Sequence, residues 1–582
     1  MSLLPNPDDP ADRPWVWPVL VGLLAIAASI AGVTNQFTQD DIPIIWKNPT
    51  IHSLDGIGIL FTKAYWPPPF VSALYRPLAT ASFALEWAIG AGSPMMFRLV
   101  SYLLYAAVSI AVYSLMRRRL PTVVAFGAAA LFAAHPLHVE SVAVAVNQSE
   151  LWVGLLSCLA VSHYLGQRDR GGPLSAGHQL IIAGLFLAAC LFKESALVLP
   201  GILVAAEILL VRSSEPVRVR IAGGRRLLLL LILVAVVFYW VRTQVLGGSL
   251  LGTFIAEALV GLSTWERGLT MLAVVPEWFR LLLWPQHLQA DYSPAELVAH
   301  TAWGPMQTFG LAILAAAIAA VVAAWRRAPA ISFGLLWCGF GIFPVHNVLV
   351  PTGIVLAERT MFLPSIGLVI ALGGLGALLL ERATPRSRIL LASVTGILLV
   401  LGTLRSTTRH PVWSDQFGLW YQTANVDAPR SWGAHEALAE AYFNLELEGM
   451  AEQEYRLSMQ FAPKQLTRPS MSYAHRLRSR GFCYPAAALY RKALQVYPSF
   501  LAAQAGLIAC ALDLGQYREA AHNARLAISM DFERPAFQIA LATADSALRV
   551  GAAPGTVRLK IPSKYVLGEV LTVGARKLGP SK

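Results

Sequence analysis

Apolar residues fill long, nearly unbroken blocks from Trp15 to about Leu404, and after Leu404 they recur only every third or fourth position among polar neighbours. Blocks of the first kind, roughly 17–25 residues long, are what a helix needs to cross a bilayer. They lie near 15–34, 98–116, 121–134, 150–166, 178–192, 195–211, 226–242, 306–325, 331–350, 361–381 and 388–404. A further apolar stretch, 267–285, carries Arg267, Glu277 and Arg280, with Pro276 in its middle. Charges at the bilayer centre cost about 2.5–3.5 kcal/mol each even on a lenient scale. That stretch is therefore expected to lie in the interface as an amphipathic segment. Eleven crossings from a cytoplasmic N-terminus put Arg117 to Arg119, Arg168, Arg170, Arg212, Arg218, Arg220, Arg225, Arg226, Arg326, Arg327, Arg382, Arg386 and Arg388 on the inner side, where basic residues belong. A twelfth crossing would move the later basic loops outside. Everything after residue 404 is then expected to be extracytoplasmic.

The polar region has a longer period. Ala451, Tyr455, Ser458 and Pro463 recur as Ala486, Tyr490, Ala493 and Pro498, then as Ala520, Ala524, Ala527 and Phe532. The offsets are 35 and 34 residues, and Gly481 and Gly515 occupy matching turns. Small residues at helix crossings with an aromatic one turn later are the pattern of tetratricopeptide repeats, helical hairpins that stack into a surface for extended peptide.

Composition agrees with this division. Over 582 residues, 56% are apolar and 14% charged, with a mean hydropathy of +0.54; a soluble chain has about a quarter charged. The net charge of +12 would suit nucleic acid, but the positive residues sit in short loops between spans, so no nucleic-acid partner is expected. Cys158, Cys190, Cys338, Cys483 and Cys510 show no paired spacing, so neither a disulfide framework nor a metal knuckle is read. The acidic, polar start is unlike a signal peptide, and the first span is expected to stay as an anchor. The expected fold is all-α. It comprises a cytoplasmic tail (1–14), a polytopic membrane domain (15–410), a linker (411–430), three recognisable repeats (431–550) and a C-terminal tail (551–582).

With that topology, ionisable residues at span ends gather on one side. They are Asp40 and Asp41, Arg76, His135, His138 and Glu140 in "HPLHVES", Glu150, Lys193 and Glu194, Asp291 with Tyr292, and Glu358 with Arg359. Such residues mark a functional site. Arg76, Lys193 and Arg359 suit a phosphate, and a carboxylate at Asp40 or Asp41 suits proton removal from a hydroxyl. His135, His138 and Glu140 could converge on zinc. The proline inside the motif and the lack of a distant fourth ligand favour hydrogen bonds to sugar or phosphate, so no metal site is assigned. The Lys193–Glu194 and Glu358–Arg359 neighbours could also be structural ion pairs.

In order along the chain, Phe37 to Asp41, Tyr75 to Leu78, His135 to Val142, Lys193–Glu194, Asp291 to Ser293 and Asn347 to Ser365 resemble the motifs of the transmembrane and tetratricopeptide-repeat O-mannosyltransferases, within the GT-C superfamily. The resemblance implies transfer of mannose, with inversion, from a polyprenyl or dolichyl phosphate to Ser or Thr hydroxyls of proteins held by the repeats. It implies Asp40 as base, with Asp41 holding the acceptor or a divalent cation. Arg76, His135, His138, Lys193 and Arg359 would serve the donor, and Glu140, Glu150, Glu194, Asp291, Tyr292 and Glu358 would support them. Where the family has Gly-Arg, this chain has Asn147–Gln148, one cation fewer. The expected location is a bacterial cytoplasmic membrane, or the endoplasmic reticulum membrane in a eukaryote. Transfer to a lipid or glycan and an inactive scaffold displaying the repeats are the alternatives.

Overall fold

The computed structural model describes residues 15–68, 74–248, 255–464, 466–530 and 534–557, and among them all regular structure is helical. The first part runs through α1 (Val16–Ser29), α2 (Pro77–Gly90), α3 (Pro94–Arg117), α4 (Thr122–Ala133), the short α5 (Val139–Ala143), α6 (Gln148–Arg168), α7 (Ala176–Phe192) and α8 (Leu199–Leu209). It continues with α9 (Val217–Gly223), α10 (Arg225–Val245), α11 (Thr264–Leu283), α12 (Pro305–Ala324), α13 (Pro329–Ile342), α14 (Phe362–Glu381) and α15 (Pro385–Arg409). A helix occupies each of the eleven expected spans.

Five of them, α3, α10, α12, α14 with its preceding turn, and α15 with its following turn, are each long and apolar enough to cross a membrane. The pair formed by α4 and Pro136–Ala143 passes the same test together, but it is bent by 46°. The others are shorter or carry polar residues, and the reason is local. The apolar runs break into turns at His135 and Lys193, where the ionisable groups cluster. Helices α1, α3, α4, α6, α7, α8, α13 and α14 contribute to one buried apolar core. Helices α10, α12 and α15 leave large apolar side chains such as Val236, Ile318 and Val400 uncovered, as lipid-facing surfaces do. Gly334 and Gly367 let α13 and α14 touch backbone to backbone: a Cβ on Gly334 would lie 2.4 Å from the Gly367 carbonyl oxygen. Close packing through small residues is how helices associate in lipid, and here it anchors the chain just after Glu358 and Arg359. The segment expected at the interface is the helix α11, opened by a capping box in which Ser263 and Glu266 cap each other.

After α16 (Gln416–Gln422) come three helical hairpins and one more helix: α17 (Trp432–Asn444) with α18 (Glu448–Phe461), α19 (Arg468–Ser479) with α20 (Cys483–Val496), α21 (Leu501–Asp513) with α22 (Tyr517–Ser529), and α23 (Arg534–Val550). The repeating positions read from the sequence fall on α18, α20 and α22, and Ala451, Tyr455, Ser458, Ala486, Tyr490, Ala493, Ala520, Ala524 and Ala527 are all buried. Phe532 lies outside the described residues.

Candidate active site

The loop after α1 enters the site under constraint. Gln39 adopts a left-handed backbone (φ 48°), uncommon for a residue with a side chain. It is held there by a hydrogen bond from its N–H to Gln416 Oε1 (2.9 Å) and one from its side chain to the Ala290 carbonyl (3.3 Å). The turn sends the next two side chains to different fates.

Asp41 is fully buried. Its Oδ1 accepts the Val146 N–H (2.9 Å), and its Oδ2 accepts the Ala145 N–H (3.1 Å) and faces Arg98, 3.4 Å away. Arg98 is itself fully buried and donates to the Gln36 carbonyl (2.6 Å). Asp41 therefore clamps the acid loop to the turn before α6. The sequence suggested a holder of acceptor or cation, but the structure gives both oxygens of this carboxylate to the protein.

Asp40 is partly exposed, and its carboxylate makes no hydrogen bond or ion pair with a described residue. Burial raises its pKa above the usual carboxylate value; the charges of Arg359 and Arg76 pull it down, and that of Glu140 pushes it up. Those neighbours are a set of matched pairs. Arg76 forks onto Glu194 through Nε (3.0 Å) and Nη2 (2.6 Å). Lys193 pairs with Glu150, and Arg359 with Glu140, which also accepts the Arg359 N–H (2.8 Å). Burial alone would raise Glu194, but the charge and hydrogen bonds of Arg76, the charge of Lys193 and a backbone hydrogen bond together outweigh it and hold the carboxyl at about 2. Arg76 and Arg359 thus stand near Asp40, and each of the cations expected to meet phosphate has a carboxylate partner. Neither Lys193–Glu194 nor Glu358–Arg359 pairs with itself; the partners come from α5 and α6.

Comparison with known proteins bears on this arrangement. No family model matches the chain. It is 25% identical over 548 residues to the protein O-mannosyl-transferase Tmtc1 of Drosophila melanogaster, covering 78% of this chain and 61% of that protein. It is 24% identical over 507 residues to the protein O-mannosyl-transferase TMTC3 of Mus musculus (76% and 54% covered). Against the protein O-mannosyl-transferase TMTC4 of Homo sapiens it is 25% identical over 464 residues (70% and 61% covered). The chain is similar to these TMTC proteins over 70 to 78% of its own length. It spans only 54 to 61% of the length of these three relatives.

The remaining motif residues are mostly tied inward. His135 binds the Leu282 carbonyl through Nε2 (3.0 Å) and caps its own turn by accepting the Leu137 N–H (3.3 Å). His138 is buried between Tyr105 Oη and Ser365 Oγ, each at 2.8 Å. Ser365 donates to the Phe362 carbonyl (2.6 Å), so its hydroxyl accepts from Nε2–H, while the Tyr105 hydroxyl that faces Nδ1 also reaches the Phe132 carbonyl (2.8 Å). Neither histidine has a ring nitrogen free for donor or zinc. Glu358 accepts the Gln289 N–H (2.5 Å) and the Tyr292 hydroxyl (3.2 Å). Asp291 accepts the Ser431 hydroxyl (2.5 Å) at the start of α17, which places it at the junction with the hairpins.

Arg98 and Tyr65 in the site escaped the sequence reading, in which Gln148 figures only as a missing cation. Arg98 could have been flagged as a cation inside an apolar run. Gln148, standing where the family has arginine, donates its amide to Glu86 Oε2 (2.9 Å). Tyr65 is buried with its hydroxyl unpartnered and its ring 5.1 Å from the Arg76 guanidinium carbon; nothing in "KAYWPPP" singled it out.

Proposed function

We propose that this chain is a membrane glycosyltransferase that moves a sugar from a polyprenyl or dolichyl phosphate to Ser or Thr hydroxyls of proteins on the extracytoplasmic side. Mannose is the sugar by kinship with the named relatives. The observation that carries the reading is the unpaired Asp40, set between Arg359 and Arg76 while its neighbour Asp41 is fully engaged. The acceptor hydroxyl oxygen attacks the anomeric carbon, its proton passes to Asp40, and the bond from that carbon to the phosphate oxygen breaks. The lipid phosphate leaves with the electron pair, its charge met by Arg359, Arg76 and Lys193. Attack from the face opposite the leaving phosphate inverts the centre. The carboxylates paired with the cations fix their side chains in place before donor arrives, so less ordering is needed on binding. The family kinship and the several apolar helices support a multi-pass membrane enzyme, and the hairpins anchored beside the acid loop support a polypeptide acceptor.

Asp40→Asn keeps shape and hydrogen bonding but cannot take the proton. In reconstituted membranes, turnover of lipid-phosphate mannose onto an acceptor peptide is expected to fall by about 10²-fold or more, with donor binding retained. Near-normal turnover would remove Asp40 as base.

A further inference from the structure

We propose that Cys483 and Cys510 form a disulfide that staples the second hairpin to the third, an inference that rests on the hairpins being extracytoplasmic. Cys483 opens α20 and Cys510 lies in the last turn of α21, and the two helices pack antiparallel. Gly506 lets them approach closely: a Cβ there would lie 2.4 Å from the Tyr490 ring. Cys483 Sγ lies 3.6 Å from Asp513 Oδ2, and Asp513 stands one turn beyond Cys510 on the same face of α21. Both residues are buried in one apolar cluster where α20 meets α21. Cys158, Cys190 and Cys338 lie on separate helices of the membrane domain.

The site matters because a repeat array is held only by contacts between neighbouring units. A crosslink between α20 and α21 spans such a junction, so it opposes fraying of the last hairpin from the rest. Disulfides persist outside the cytoplasm. Each thiol gives up a proton, and together they give up two electrons. These pass to the disulfide of a thiol–disulfide oxidoreductase of that compartment through a mixed disulfide, and the oxidant leaves as a dithiol. Burial shields both thiols in the folded array and disfavours their reactive thiolates, so the bond is set while the chain folds.

The test uses the full-length chain from membranes, quenched with N-ethylmaleimide, unfolded without reductant and digested. Mass spectrometry is expected to find the Cys483 and Cys510 peptides linked, and Cys158, Cys190 and Cys338 alkylated. Reductant is expected to lower the unfolding midpoint of the native chain by about 5 °C or more and to leave Cys510→Ser unmoved. Full alkylation of Cys483 and Cys510 before reduction overturns the bridge. Labelling of Gln516→Cys from outside intact cells separates the two ideas. Reduced thiols on hairpins that label from outside sink only the disulfide, whereas hairpins that fail to label sink the topology beneath it.

Discussion

At the scale of single residues, the site is a contrast between satisfied and unsatisfied groups. Arg76, Lys193 and Arg359 have carboxylate partners and Asp41 is saturated, whereas the Asp40 carboxylate and, among other buried groups, the Tyr65 hydroxyl are not. A buried hydroxyl without a partner costs about 1–3 kcal/mol, and the place of this one beside Arg76 makes substrate contact a testable proposal. Tyr65→Phe is expected to stabilise the resting enzyme slightly while raising the donor KM several-fold, read from thermal unfolding and steady-state kinetics; a lower midpoint with unchanged KM would make it a packing residue. The raised pKa of Asp40 gives a signed pH dependence. The base works only when ionised, so kcat/KM climbs as pH rises through a pKa above the ordinary carboxylate value. Arg359 is the larger of the two cationic influences pulling that pKa down. Arg359→Gln is therefore expected to displace the acidic limb of the profile to higher pH, besides weakening donor binding. A limb that stays in place would mean that Arg359 does not sense the base.

Among elements, what could be read in advance follows from period. A helix lies in every long apolar block, and the offset of about 35 residues located the three hairpins down to their buried alanines and tyrosines, because burial of one helix face leaves a direct mark on sequence. Partner choice leaves no such mark. Adjacent "KE" and "ER" pairs looked like natural ion pairs, yet neighbours on a tight turn point apart, and the partners came from α5 and α6. The same holds for His138, whose place in a striking-looking motif reflects packing between α3 and α14. Asn347 shows how a motif residue can serve geometry. It sits left-handed (φ 56°), and its side chain accepts the Thr352 N–H (2.6 Å) and hydroxyl (2.9 Å) while donating to the Val345 and Ile354 carbonyls (both 3.0 Å). It thus folds the loop that delivers Glu358 and Arg359. Asn347→Ala is expected to cost about 2–4 kcal/mol from the lost hydrogen bonds and the left-handed backbone. Asn347→Gly should recover only the backbone share; a Gly variant as stable as the native chain would show that the side-chain bonds contribute nothing, and equal midpoints for the two variants would show that the left-handed backbone costs nothing.

For the whole molecule, the contacts between its two parts decide where the hairpins stand relative to the acid. The Gln36 N–H donates to the Ser414 carbonyl (2.7 Å), Asn35 binds the His410 carbonyl (2.8 Å), and Gln39 binds Gln416. On the other flank, Asp291 holds Ser431, and Glu296 accepts the Arg430 N–H (2.8 Å). The acid loop and the start of the hairpins are thus one connected surface, so Asp40 and the hairpins face the same compartment whichever way the chain is inserted. The basic loops argue for one way: Arg117 to Arg119 lie at the opposite end of α3 from the site, and the proposed insertion puts such positive residues in the cytoplasm. In a background without native cysteines, Gln516→Cys is expected to react with an impermeant maleimide in intact cells. Arg118→Cys should stay unlabelled until the membrane is opened. Protection of the first with labelling of the second would invert the insertion, carrying Asp40 inside together with the hairpins and removing the extracytoplasmic acceptor. Labelling of both from outside would instead break the crossing count between residues 118 and 516, and with it the argument that the hairpins present a polypeptide to Asp40.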